Sequence, residues 1–152
     1  MRLVVDASVA LKWFFQDRED EDHVEAALGV LDALDQGHVR LIQPPHFLAE
    51  MAAVLIREKG ETAYEDLRDL QALDWEVVDE PACYEEAMRL AATHQHHLFD
   101  TLYHATALRF PDGRLLTADR RYHDKAAGEG RIELLGRHDP LRARQVSRRQ
   151  TR

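Results

Sequence analysis

The chain has 152 residues, a formal net charge of −8, 45% hydrophobic and 32% charged residues. That length suits one domain with a real core, and the sign of the charge excludes passive attraction to nucleic acid through the body of the protein. The single cysteine, Cys83, excludes an internal disulfide and fits a reducing compartment, so a cytoplasmic location is expected. Only Leu3, Val4 and Val5 precede the first acid, which is too short an apolar run for a signal-peptide core, and no stretch approaches the roughly 20 apolar residues of a membrane span. The charge is uneven: residues 137–152 carry six Arg against one Asp, while residues 1–136 carry a balance of −13.

In chain order, short apolar runs predict strands over Arg2–Asp6, Arg40–Gln43, Trp75–Asp79, Arg114–Thr117 and Ile132–Leu135. Helical patterns fill the gaps, roughly over 7–15, 21–37, 45–59, 61–73, 81–95, 99–110 and 119–128. Gly37, Gly60 and Gly113 stand where helices or turns should end. Pro44, Pro45 and Pro81 stand at helix starts, where a missing N–H costs little. No internal repeat or low-complexity block interrupts this alternation. It predicts an α/β fold: a three-layer α/β/α sandwich around a parallel sheet of about five short strands. Residues 1–136 form that domain, and residues 137–152, with no apolar period, read as a basic, flexible tail.

Sites in such sheets form beyond the carboxyl ends of the strands. Asp6 stands there, at the end of "RLVVD", and Asp119 repeats the arrangement after "LLTAD". Either acid can also be a helix cap. Glu50 lies in "PPHFLAEMAAVLIREKG", on the shoulder of an apolar stripe of Phe47, Met51, Val54 and Leu55, where it can face the core or reach to solvent. Asp100 opens "FDTLYHATALRF", where an acid also suits the helix dipole. If the four converge, each close like-charge pair costs about 4 kcal/mol at about 4 Å and an effective dielectric of 20. Such a cluster requires protons or cations, and oxygen ligands suit Mg²⁺ or Mn²⁺. Two such ions can activate water and stabilise the leaving oxygen of a phosphodiester.

These four segments together resemble the PIN-domain ribonucleases, and most closely the VapC toxins of bacterial toxin–antitoxin pairs. "VVDASVALKWF" resembles the family's opening strand and first acid, "PPHFLAEMAAVL" the helix with the second, "FDTLYHATAL" the segment with the third, and "LLTADRRY" the strand end with the fourth. The likeness covers about residues 1–136. It implies Mg²⁺- or Mn²⁺-dependent endoribonuclease activity, with Asp6, Glu50, Asp100 and Asp119 as catalytic metal ligands. Ser8 and Thr117 match small hydroxyl positions that support the acids. It also implies a homodimer and a cognate antitoxin partner.

The chain departs from the family's usual alanine and leucine at Thr101 and His104, and "ATHQHHLFD" is rich in histidine. His94, His96, His97 and His104 read either as a solvated helix end and loop or as zinc ligands, with His104 on the same helix face as Asp100. Lys12, Arg120 and Arg121 lie near the acidic edge, where they can meet RNA phosphate, pair with the acids or serve only solubility. Helix 45–56 reads as core or as a partner groove. Two other function classes remain open: a PIN fold kept as a protein-binding module or for RNA processing, and a receiver-like phosphoacceptor domain. The latter needs adjacent acids after the first strand and a late Lys, whereas Asp6 stands alone and Asp119 takes the late position.

Overall fold

The structure is a computed structural model that describes residues 1–18 and 22–136. The expected basic tail, 137–152, and Glu21 of the expected second helix lie outside the described residues. Five strands of the described residues form one sheet: β1 (Arg2–Val5), β2 (Arg40–Gln43), β3 (Trp75–Val77), β4 (Gly113–Thr117) and β5 (Ile132–Leu134). The order is β3-β2-β1-β4-β5 and every pair is parallel.

Among the described residues, seven α-helices accompany them: α1 (Ala7–Ala10), α2 (Val24–Asp35), α3 (Phe47–Lys59), α4 (Ala63–Ala72), α5 (Pro81–His94), α6 (Leu98–Leu108) and α7 (Arg120–Ala126). The expected helix over 7–15 is shorter than its apolar pattern. Regular α-helix stops at Ala10, and Leu11–Trp13 tighten into a 3₁₀ turn that seats Trp13 in the core, its indole donating to the Ala27 carbonyl at 2.8 Å. Pro81 takes the first turn of α5, as expected, whereas Pro44 and Pro45 precede α3, which opens two residues later at Phe47. Gly60 closes α3 at φ 59°, a backbone region that favours glycine.

The strands are apolar because both faces of a parallel sheet are covered. Leu3, Val4 and Val5 are buried, as are Leu41 and Ile42 in β2 and Leu115 and Leu116 in β4. From α3, Phe47, Met51 and Leu55 enter the core at helical spacing, so one face of that helix is core. The helices of the β1–β3 half pack on one another, α1 on α3 and α3 on α4, and those of the other half do the same, α5 on α6 and α7. That division follows from right-handed crossovers: the chain runs outward from β1 through β2 to β3, then returns to β4 on the other side, which changes the face that the connecting helices cover.

The reversal makes β1 the switch strand. At its carboxyl end the connections to β2 and β4 diverge and leave a crevice. One side chain finishes the sheet there. Gln43, fully buried, donates from Nε2 to the Val5 carbonyl at 2.8 Å and accepts the Val5 N–H at 3.2 Å. It thus supplies both ladder bonds of Val5 after the backbone pairing of β1 with β2 has ended. Among the described residues, no helix is long and apolar enough to cross a membrane.

Candidate active site

Asp6 follows β1 directly and caps α1, its side chain accepting the Val9 N–H at 3.3 Å. Both of its oxygens take a hydroxyl as well: Ser8 Oγ donates to Oδ1 and Thr117 Oγ1 to Oδ2. Those hydroxyls are themselves held from β4 and the residues after it. The Ala118 N–H donates to Ser8 Oγ at 2.9 Å, and the Asp119 N–H to Thr117 Oγ1 at 3.0 Å. Two parallel relays therefore run from the end of β4 into the Asp6 carboxylate. Desolvation outweighs these donors and pushes the Asp6 carboxyl up to about 6, with the Asp100 charge adding to the rise.

Asp119 caps α7, accepting the Tyr122 N–H at 3.1 Å through one oxygen. Capping and a place in the acidic hollow are compatible for both Asp6 and Asp119, because a carboxylate has more acceptor sites than one cap uses.

Glu50 lies one turn into α3, with a side chain 30% exposed. Tyr103 of α6, fully buried, donates its hydroxyl to Glu50 Oε2 at 2.9 Å, and His46 Nε2 lies 3.4 Å from Oε1. Desolvation also raises the Glu50 carboxyl, and the Asp100 charge again adds to it. The Tyr103 hydroxyl is driven upward by burial and by the charges of Glu50, Asp6 and Asp100, so it stays a donor.

Asp100, in the first turn of α6, accepts from His96 at 3.0 Å. One ligand atom each of His96, Asp100 and Asp119 fall within 4.8 Å of one another, a geometry that can hold a metal ion. Lys125 Nζ lies 3.3 Å from His96 Nδ1. An ammonium has no lone pair, so Nδ1 is the acceptor and Nε2–H the donor to Asp100. His96 as placed steadies the Asp100 carboxylate.

The structure thus brings the four sequence-marked acids around one crevice. Asp100 is the hub: its charge acts on both Asp6 and Glu50, and it lies beside Asp119. Ser8 and Thr117 stand where supporting hydroxyls were expected. The histidines do not form a zinc cluster. His94 pairs with Glu129 at 2.8 Å, His96 with Asp100, and His97 stacks on Phe99. His104 turns away from Asp100 into the core, where it bonds the Tyr122 hydroxyl at 2.8 Å and the Gly130 carbonyl at 2.9 Å. Nor is this a solvated stretch throughout, because the His94 and His96 side chains are only 16% and 10% exposed. Thr101 is buried and its hydroxyl donates to the Ala87 carbonyl at 2.8 Å, so both departures from the family pattern tie helices together.

Of the nearby cations, Lys12 is buried and pairs with Asp22 at 3.2 Å, while Arg120 and Arg121 are exposed on α7. The sequence patterns did not single out Tyr103, Gln43 or His46. Tyr103 is three residues after Asp100, a spacing that places two side chains on one helix face and was available as a signal. Gln43 carries no local signal, because its partner Val5 lies on a distant segment, whereas His46 stands four residues before Glu50, a spacing that lets the two meet.

The family model for the PIN domain matches residues 3–128. The chain belongs to the PIN domain family. The match takes in β1 through α7 and all four acids of the crevice. Among solved structures, this PIN domain is similar to a chain in the "Crystal structure of VapBC2 from Rickettsia felis bound to a DNA fragment from their promoter". The two share 13% identity over 88% of this chain and 98% of that one, with a TM-score of 0.67, a likeness of fold. No curated protein matches this PIN domain at a comparable standard.

Proposed function

We propose that this PIN domain is a metal-dependent endoribonuclease that hydrolyses RNA phosphodiester bonds, acting as the toxin of a toxin–antitoxin pair. The observation that carries it is the convergence of Asp6, Glu50, Asp100 and Asp119 on the crevice at the end of β1, with Asp100 raising the cost of charge on two of the others. Four acids persist in one hollow only where protons or cations offset their repulsion. Their all-oxygen donor set fits Mg²⁺ or Mn²⁺. Bound there, a divalent ion supplies charge neutralisation for the phosphate and activation of water.

The chain's own residues set up that chemistry. Ser8 and Thr117 hold Asp6 through both oxygens, leaving its remaining lone pairs directed by the rigid end of β1. Tyr103 holds Glu50, and His96, backed by Lys125, holds Asp100. In the toxin reading, residues 1–136 are the nuclease domain, the protein works in the cytoplasm as a homodimer, and an antitoxin restrains it. The similarity of fold to a chain of the Rickettsia felis VapBC2 complex supports the antitoxin partner.

The test is inducible expression of wild type beside Asp6→Asn, with growth followed and RNA 5′ ends mapped, and purified protein assayed on RNA with Mn²⁺ and with EDTA. Growth arrest and metal-dependent cleavage are expected from wild type alone. Full metal-dependent activity in Asp6→Asn overturns the assignment. Failure to bind Mn²⁺ in calorimetry replaces it with a protein-binding PIN module.

A further inference from the structure

Phe99 stands directly before Asp100 on α6, and 53% of it is exposed. Isolated surface aromatics are ordinary, but this one is fastened. Its ring stacks on the exposed His97, with centroids 5.9 Å apart and planes 30° apart. His46 packs against the same ring at 5.8 Å and donates Nε2–H to the Phe99 carbonyl at 2.7 Å. His46 is in turn wedged on Tyr103, 4.6 Å between centroids, and reaches Glu50 Oε1 at 3.4 Å. An aromatic surface at the rim of the crevice is therefore tied to Glu50 through His46 and is continuous in the chain with Asp100.

We propose that Phe99 and His97, braced by His46, form a stacking shelf for one nucleobase of a single-stranded RNA whose phosphate lies at the carboxylates. The proposal rests on the nuclease reading and adds the substrate class. Two properties of the chain favour it. Residues 1–136 carry a balance of −13, which opposes long-range attraction of the phosphate backbone and gives uncharged contacts more weight in binding. Stacking on an aromatic ring is such a contact, and it accepts any base. It also selects against duplexes, whose bases are stacked inside and cannot splay onto a protein ring.

The experiment compares wild type, Phe99→Ala and Phe99→Tyr on a single-stranded oligoribonucleotide, an identical strand with an abasic residue beside the cleaved bond, and the strand annealed to its complement. Circular dichroism and Mn²⁺ calorimetry check that each variant folds and binds metal as wild type does, which the exposure of Phe99 leads us to expect. Phe99→Ala should raise KM on the intact strand about 5- to 150-fold, with kcat changed far less, and Phe99→Tyr should restore it. The abasic strand should be poorer for wild type and show no further loss with Phe99→Ala. A 2-aminopurine at the abasic position should be quenched by wild type and less so by Phe99→Ala. Unchanged KM in Phe99→Ala, or an equal loss on intact and abasic strands, overturns the shelf while leaving the nuclease intact. A wild-type protein that cleaves no RNA in Mn²⁺ overturns the nuclease reading and the shelf with it.

Discussion

The Thr117 hydroxyl, at the end of β4, donates to Oδ2 of Asp6, at the end of β1, across a sequence separation of 111 residues. Thr117 Oγ1 itself accepts the Asp119 N–H. One side chain thereby couples the strand ends that carry two of the four acids. Thr117→Val keeps the shape and removes both interactions. We expect Mn²⁺ affinity and kcat/KM to fall by about 10- to 100-fold, the usual cost of losing a group that orients a metal ligand. Calorimetric titration with Mn²⁺ and cleavage of a fixed oligoribonucleotide check this, and wild-type affinity in Thr117→Val refutes it.

Burial holds the Asp6 carboxyl at about 6, above its ordinary 3.8. A carboxyl raised by folding favours the folded state most when it is protonated. In the metal-free protein, the stability it contributes is fully present below about pH 4 and is lost as pH rises to about 6. Metal needs the ionised form, so the two effects oppose each other. Mn²⁺ affinity should fall as pH drops through about 6, and binding below that pH should release a proton. Calorimetry in buffers of different ionisation enthalpy measures the proton. Glu50 is raised in the same direction, so part of the dependence should survive in Asp6→Asn.

Gln43 is fully buried and satisfies both backbone groups of Val5. Gln43→Leu fills the space and leaves a buried N–H and a buried C=O without partners. The expected loss is about 2–6 kcal/mol, read from urea denaturation, since each of the two unsatisfied groups costs about 1–3 kcal/mol. Metal affinity should fall too, because Val5 sets the position of Asp6. A variant as stable as wild type would show that water takes over both bonds.

His104 accepts from the Tyr122 hydroxyl and donates to the Gly130 carbonyl, and desolvation pulls its imidazole below the ordinary 6.5. A neutral buried histidine contributes stability that is present above about 6.5 and is lost as pH falls. Its pH trend is thus the opposite of that for Asp6. Tyr122→Phe strands Nδ1 and should cost about 1–3 kcal/mol by thermal or urea unfolding. The same change leaves the Tyr122 N–H to Asp119 in place, so any loss of activity should follow stability alone.

At Gly113 the start of β4 passes close under the end of α6: a Cβ there would stand 2.0 Å from the Ala107 carbonyl oxygen and 2.9 Å from its carbon. Both obstacles are backbone and cannot rotate away. Gly113→Ala should destabilise by about 3 kcal/mol or more and lower soluble yield. An alanine variant that unfolds at the wild-type urea midpoint would mean that α6 can shift without cost.

The strands were readable in advance because burial on both faces demands unbroken apolar runs, and Leu3–Val5, Leu41–Ile42 and Leu115–Leu116 supply them. The four acids were readable for the related reason that carboxylates are conspicuous beside such runs. Gly113 was also marked, but as a turn residue. Its actual constraint, the Ala107 carbonyl, belongs to the packing of a helix on a strand. The partners of the histidines were only partly readable, because His94 ends α5, His96 and His97 lie between α5 and α6, and His104 lies within α6. His96 meets Asp100 at a spacing of four residues, but His94 meets Glu129 and His104 meets Tyr122, and no spacing rule names those two partners.

The amino-acid sequence alone determined the parallel α/β layout and the acids at its edge, since periodicity and burial pressure are local in origin. The resemblance marked Ser8 and Thr117 as supporting hydroxyls, but only the tertiary structure decided that both bond Asp6, that Tyr103 holds Glu50 and that His96 holds Asp100. Hydrogen bonds need atoms within about 3 Å, and which distant segments come that close is set by the crossing of strands and helices at the end of β1.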